Sequence, residues 1–394
     1  MNIVSGSSLP LKALLSNFGL ALLAGTGIMY ANISPAIVTA YAQNPHFTAE
    51  EAGYLISINM SGCALGALIT SFYLNRFNWF HFSILLLIIL IVSDLVSIWL
   101  NQPFSLYSIR FIHGLSAGSL MGIAYAAIAR TVYPERIQAL SYTFQLLCGG
   151  ILILIITPRI EFSGSLIVWL PLILFYLLGL LFCPLFKNTG VNKNILVEPG
   201  SSASASNLII ALTLAGLFFF QMGQFAAFAY VIELGLNKSF STEFTGNTVA
   251  MGLWIGGPAA LFVTWWSLRS GRTLPILVAS GVQISSIALL LFPYSTTFIV
   301  GNVGWGIGFN IGISYILGLA SELDNQGKIA TLAAFASTLG LASGPGFAAV
   351  IVEGNNYDGV IVASIIILFI SITLIIIPAM TLDSKNRTKR MIWT

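Results

Sequence analysis

Charge is what this chain is short of. Only 7% of its 394 residues are Asp, Glu, Lys or Arg, against 57% hydrophobic, whereas soluble domains carry about 25% charged residues. So little charge cannot solvate so much apolar surface, which excludes a soluble fold and leaves a polytopic membrane protein. Cysteine is scarce too: Cys63, Cys148 and Cys183 all fall inside apolar runs with neither pairing nor metal-ligand spacing. Buried thiols are expected, with no disulfide framework, metal centre or cofactor. The N-terminal stretch lacks the pattern of a cleavable signal, because Lys12 leads straight into a long apolar run. Nothing in the composition points to a nucleic-acid partner.

What is present is a series of continuous, helix-length apolar runs, such as Ser83–Leu100 and Val360–Met380. Membrane strands would need alternating polarity over segments of about ten residues. The expected fold is therefore all-α, with twelve spans at 13–42, 48–74, 80–100, 104–130, 136–157, 163–186, 207–235, 244–268, 273–292, 296–321, 328–352 and 357–381. The connection 187–206 ends in Glu-Pro-Gly-Ser-Ser-Ala-Ser-Ala-Ser, a flexible-linker composition. It divides the chain into six-helix bundles at 1–186 and 207–394.

Basic residues orient the spans. Lys12, Arg76, Arg130, Arg136, Lys187, Lys193, Arg269, Arg272, Lys328, Lys385, Arg387, Lys389 and Arg390 fall on one side, and only Arg159 and Lys238 on the other. The positive-inside rule then places both termini and the linker in the cytoplasm, in a bacterial-type cytoplasmic membrane. The basic tail reads as an anchor at an anionic lipid surface.

The halves resemble each other. Phe47-Thr-Ala-Glu50 opens span 2 and Phe240-Ser-Thr-Glu243 opens span 8, and Arg76 and Arg269 follow those spans at the same separation of 193. Each opening has a Ser or Thr N-cap and an acid in the first turn. Span 4 carries Gly114, Gly118, Gly122 and Tyr125; span 10 carries Gly304, Gly308, Gly312 and Tyr315, a shift of 190. That shift puts Val300 and Val303 opposite Arg110 and His113. Two parallel six-helix repeats are typical of secondary transporters.

Polar groups concentrate in every third span, while spans 3, 6, 9 and 12 read as lipid-facing scaffold. Spans 1, 4, 7 and 10 hold Tyr30 and Asn32, Arg110 and His113, Gln221 and Gln224, and Asn302, Trp305 and Asn310. Polar groups at membrane depth face a bundle interior or a wet cavity. Arg110 is the most expensive of them, at roughly 2.5–3.5 kcal/mol on insertion scales. It sits ~9 Å inside span 4 at 1.5 Å per residue, a depth shared by Asp94 on antiparallel span 3. Either the two form a structural pair, or a pair that breaks as substrate or proton binds. His113, one turn on, could carry a proton near neutral pH or serve packing alone. The glycines of span 4 are expected to permit close helix contact, and Pro35 to bend span 1. Glu233, Glu322 and Glu353 lie near span ends, where solvated caps are expected.

Leu106-Tyr-Ser-Ile-Arg110-Phe-Ile-His113-Gly114 resembles the fourth-helix signature of the major facilitator superfamily, and Arg269-Ser-Gly271-Arg272 resembles its loop motif in the second-half copy. The first-half copy, around Asn75 and Arg76, has Ser, Asn and Asn where Gly, Asp and Gly are usual. The resemblance implies helices 1, 4, 7 and 10 around a central cavity, rocker-switch alternating access, and loop gating by Arg76, Arg269 and Arg272. The Gly-Pro pair of drug exporters is missing from span 5; Gly344-Pro345-Gly346 stands in span 11 instead. Gly114-Leu-Ser116-Ala-Gly118 matches a hydrolase nucleophile elbow, but that motif needs a strand-to-helix turn, so no enzyme is expected. Nor is a phosphate-binding loop present, which excludes ATP as the driving force.

The expected function is secondary transport of a small organic anion or zwitterion, coupled to protons, by a functional monomer in the bilayer. Arg110, Tyr30, Asn32, Gln221, Gln224, Asn302, Trp305 and Asn310 would contact substrate, with Arg110 gripping a carboxylate. His113 and Asp94 would carry the coupling proton. The alternatives are a proton-driven exporter of amphipathic compounds and a non-transporting membrane sensor or scaffold.

Overall fold

The computed structural model describes residues 11–73, 76, 78–131, 134–163, 166–186, 206–266, 271–323 and 328–392. The linker at 187–205, Arg269, and the side chains of Lys12 and of the basic tail at 385–390 lie outside the described residues. Among the described residues there are helices and no strands.

The first span is α1 (Leu11–Asn32) and α2 (Ser34–Ala42), and it is followed by α3 (Ala49–Tyr73), α4 (Trp79–Ser97), α5 (Pro103–Ile128) and α6 (Pro134–Ile156). A 3₁₀ turn at Thr157–Arg159 and the short α7 (Ile160–Ser163) lead into α8 (Leu166–Phe186). The second half holds α9 (Asn207–Asn237), α10 (Thr242–Trp266), α11 (Thr273–Leu289), α12 (Ser295–Glu322), α13 (Lys328–Ile351) and α14 (Tyr357–Ile392). Ten of these spans are long and apolar enough to cross a bilayer. With α10 and the 17-residue α11 they make twelve transmembrane helices, six in each of two bundles. With an even number of spans, the start of α1 and the end of α14 share one end of the molecule, the terminal end. The Gln43–Thr48 connection lies at the other, the loop end.

Local chemistry sets the helix boundaries. Thr48 and Glu51 form a reciprocal capping box at the start of α3, with Thr48 N donating to Glu51 Oε2 at 2.8 Å and Glu51 N to Thr48 Oγ1 at 3.1 Å. Ser241 caps α10 by accepting from Phe244 N. At the start of α11, Asp383 from α14 accepts from the backbone N–H of Arg272 and Thr273, at 3.0 and 2.9 Å. Span 1 breaks where the proline predicts: Ile33 leaves helical geometry at φ −101°, ψ 9°, and Pro35 opens the first turn of α2. Beyond the break the chain changes neighbours, from α5, α6 and α8 to α3 and α9.

Glycines set the closest helix approach. A Cβ at Gly114 would lie 1.9 Å from the Asn59 carbonyl oxygen, and one at Gly118 1.9 Å from that of Cys63. No larger residue fits, so α3 and α5 cross backbone to backbone. In the second half, Gly306 meets the Gly252 carbonyl and Gly252 meets that of Asn302. Since Gly252 is Asn59 shifted by 193, the counterpart of Gly114 is Gly306 and that of Arg110 is Asn302. The 190-residue shift expected from the glycine ladder is therefore two residues short. Gly304 and Gly308 face α11 rather than α10. Val300, 51% exposed, holds no interior position, whereas Asn302 and Trp305 are buried and match Arg110 and His113.

The halves meet along α3 with α13, α6 with α10, and α2 with α9. Tyr230 Oη donates to the Ala49 carbonyl at 3.0 Å, Thr242 Oγ1 to Glu161 at 3.3 Å, and Trp254 Nε1 to the Leu147 carbonyl at 3.2 Å. Ser57 bonds to the Ala342 carbonyl and Tyr142 to Asn310. These contacts begin at the loop end and run past mid-depth. The Gly344-Pro345-Gly346 run sits on this seam, with Gly344 against Met222 of α9 and Gly346 against Ser57 of α3.

Candidate functional site

The buried charge expected in span 4 lies inside the first bundle, completely shielded, among side chains from five helices. Arg110 Nη1 donates to Asp94 Oδ1 at 2.7 Å, and both side chains are 0% exposed. Arg110 Nη2 donates to the Ser93 carbonyl at 2.8 Å and to Ser97 Oγ at 2.6 Å. Ser93, Asp94 and Ser97 share one face of α4 because positions three and four apart stack on a helix. The guanidinium carbon lies 4.3 Å from the Trp169 ring centroid on α8 and 5.9 Å from that of Tyr30 on α1. Arg thus has ionic, hydrogen-bonding and cation–π partners together, the combination that lets a charge persist in a dry interior.

His113, also 0% exposed, occupies the next turn of α5. Its Nε2 lies 3.2 Å from Tyr176 Oη and 3.5 Å from Asp94 Oδ1. Its Nδ1 lies 2.8 Å from Asn59 Nδ2, which also donates to the Arg110 carbonyl at 2.9 Å. A carbonyl only accepts, so the Asn59 amide must present NH₂ in that direction. His113 Nδ1 must then accept, which assigns the ring proton to Nε2 and makes the imidazole neutral. A second proton on Nδ1 would set two donors face to face. Asp94 Oδ2, Arg110 Nε, Asn59 Oδ1 and Tyr30 Oη remain without hydrogen-bond partners.

The remaining sequence-predicted residues fall into separate groups. Tyr30 joins the Arg110 cluster, its ring stacked on Trp169 at 6.4 Å and 5.4 Å from His113. Asn32 donates to the Gln145 carbonyl on α6 at 3.2 Å. In the second bundle, Gln221 donates to Ser337 Oγ at 2.8 Å, while Gln224 is buried with its Oε1 unpaired. Trp305 meets Phe228 edge to face at 5.9 Å, and Phe228 stacks on Phe225. Asn302 Nδ2 bonds within its own helix, to the Phe298 carbonyl. Asn310 alone of the span 10 group reaches the other half, through Tyr142.

At the terminal end, Arg76 is exposed beside the Tyr73 ring. Arg272 pairs with Glu322 at 2.5 Å. Both partners belong to the second bundle, so this pair does not bridge the halves. Glu353 is exposed as expected. Glu233 corrects the expectation of a solvated cap: it is only 9% exposed. Span 9 corrects another, since Gln283 and Ser280 of α11 are buried with unpaired polar atoms rather than turned to lipid.

Residues that composition did not single out complete the cluster: Asn59, Ser93, Ser97, Trp169 and Tyr176. Ser93, Asp94 and Ser97 gave a legible signal, a polar one-turn repeat in an apolar run. Trp169 and Tyr176 gave none, because aromatics in membrane helices are ordinary.

Two six-helix bundles joined by a seam, one with a charge cluster in its interior, define a multi-pass membrane transporter. The chain belongs to the Major Facilitator Superfamily, whose model matches residues 19–345, and it is a secondary transporter rather than an enzyme. Among solved structures it is similar to a bacterial homologue of the human lysosomal transporter Spinster, in an inward-facing and unoccupied conformation. That match has TM-score 0.69 and 12% identity, and it covers 95% of this chain and 98% of that one. Such identity shows the fold alone. No curated protein sequence matches significantly.

Proposed function

We propose that this transporter moves a small organic anion or zwitterion by proton-coupled alternating access, with the two bundles, 1–186 and 207–394, rocking about the seam. The carrying observation is the wholly buried Asp94–Arg110 pair with neutral His113 at its side. Arg110 has both terminal nitrogens engaged. A substrate carboxylate reaches it only by replacing Asp94. A proton arriving on Asp94 neutralises that residue and frees the guanidinium, so proton and carboxylate ligand favour the same rearrangement. His113 Nε2–H, poised between Tyr176 and Asp94, relays that proton once Asn59 turns its amide oxygen toward Nδ1: one proton binds Nδ1 as the Nε2 proton passes to Asp94, and the ring stays neutral.

Gln221, Gln224, Trp305 and Asn310, with Tyr30 and Asn32 from the first bundle, serve as substrate contacts as the seam opens. The basic-residue bias supports placing the terminal end in the cytoplasm, with the linker at 187–206. On that orientation, contacts concentrated from the loop end to mid-depth support an inward-facing state, as in the similar Spinster homologue. Arg76, Arg269 and Arg272 would then act at the cytoplasmic mouth, and a single chain suffices for the cycle.

The test is proteoliposomes loaded with a pH-sensitive dye and challenged with pools of carboxylates and amino acids. Wild type is expected to carry protons with at least one pool, and Asp94→Asn to lose that proton movement. Proton movement unchanged in Asp94→Asn would overturn the coupling role. The stacked Phe225, Phe228 and Trp305 favour one second reading, an exporter of amphipathic compounds. Proton movement with lipophilic cations and none with carboxylates would select it.

A further inference from the structure

Glu233 lies about one turn inside the loop-end terminus of α9, where α2 of the other half crosses it. Its Oε2 accepts from Tyr357 Oη of α14 at 3.3 Å, and its other polar neighbour is Thr39, 0% exposed on α2. Glu233 Oε1 and Thr39 Oγ1 both lack a partner within hydrogen-bond distance. The site is roofed by contacts between the halves: Tyr230, one turn back on α9, donates to Ala49 of α3, and Gly53 leaves room for its ring. Burying a carboxylate against neutral partners alone is costly, whereas a carboxylic acid in the same place is cheap.

The charged and titratable neighbours do not relieve that cost. From α14 come Tyr357 and Asp358, and Asp358 is paired with Lys238 Nζ at 2.9 Å. Lys238, the nearest cation along α9, also donates to the Leu291 carbonyl, so it is committed elsewhere. From α3 and α5 come Glu50, Tyr54 and Tyr107, grouped around Tyr230; α2 contributes Thr39 alone. Among the described residues no lysine or arginine pairs with Glu233.

We infer that Glu233 is a second proton-carrying residue of the transport cycle, protonated while the loop end is closed and losing its proton to water when α2 parts from α9. The step breaks one O–H bond and leaves a hydrated carboxylate, the proton passing to bulk water on the loop side. Closure then binds a proton, so acidic conditions favour the closed loop end and alkaline conditions the open one. The Asp94 cluster senses protons inside the first bundle; Glu233 senses them on the seam itself. This inference rests on the proton-coupled reading above.

The experiment needs no substrate. Spin labels at Gln43→Cys and Glu353→Cys, exposed positions on opposite halves at the loop end, report the gap by pulsed electron resonance. The protein is reconstituted in lipid nanodiscs with Cys148→Ser as background. In otherwise unmutated protein, the long-distance population is expected to grow several-fold from acidic to mildly alkaline pH. Glu233→Gln is expected to hold the short distance throughout, and Glu233→Asp to restore the response, which also shows that the site tolerates substitution. A response in Glu233→Gln equal to that of the background, or no response in the background, overturns the inference. Loss of the response in Asp94→Asn alone assigns it to the first bundle and likewise overturns it. Proton flux in proteoliposomes tests the coupling at Asp94 separately.

Discussion

Asp94 and Arg110 neutralise each other at 2.7 Å with no solvent reaching either side chain. Removing one partner leaves the other charge stranded, which costs about 3–5 kcal/mol in buried pairs. Asp94→Asn is therefore expected to lower thermal stability in detergent markedly, and Arg110→Gln to do the same. The double variant should recover much of the loss, giving a coupling energy above about 1 kcal/mol in a double-mutant cycle. Additive losses would show that the pair contributes nothing as a pair.

His113 carries its proton on Nε2 because Asn59 donates to Nδ1. Nitrogen-15 resonances of selectively labelled protein at neutral pH should show one of its three histidines as the neutral Nε2–H tautomer. Asn59→Asp turns that donor into an acceptor and is expected to convert the ring to imidazolium or to the other tautomer. An unchanged spectrum in Asn59→Asp would remove Asn59 from the network.

The α3–α5 crossing tolerates no side chain at Gly118, where a Cβ would lie 1.9 Å from a backbone oxygen. Gly118→Ala should cost about 1–3 kcal/mol or abolish expression. A Cβ at Gly257 meets nothing within 4 Å, so Gly257→Ala should leave stability within about 0.5 kcal/mol of wild type. Equal effects at the two positions would contradict the packing described.

Ser57 and Gly346 face each other across the seam, the would-be Cβ of Gly346 lying 2.6 Å from Ser57 Oγ. Ser57→Cys with Gly346→Cys should cross-link under mild oxidation, appear as a mobility shift, and arrest proton movement until reduced. A cross-linked protein that still transports would mean the seam need not part at this depth.

Much of the architecture was legible beforehand. Continuous apolar runs gave the twelve helices, Pro35 gave the break in span 1, and matched depth on antiparallel spans gave the Asp94–Arg110 pair. The repeat register was not legible from the glycines of span 10, because Gly301, Gly304 and Gly308 serve α11 while Gly306 serves α10. A one-dimensional pattern cannot tell which face a small residue opens. Glu233 misled for a related reason: distance from a helix end measures depth along one helix, whereas its burial comes from α2 crossing above it. Trp169 and Tyr176 join the cluster only through tertiary packing, which left no mark on their own span.

The corrected register has a further consequence. Asn302 occupies in the second bundle the position that Arg110 holds in the first, beside the same kind of helix crossing and with comparable burial. Nature has thus already run the neutral substitution inside this molecule, and the crossing still forms. Architecture does not demand an ion there. The crossing alone does not account for an arginine in one copy and its absence from the other, and the proposed carboxylate and proton role would explain that asymmetry.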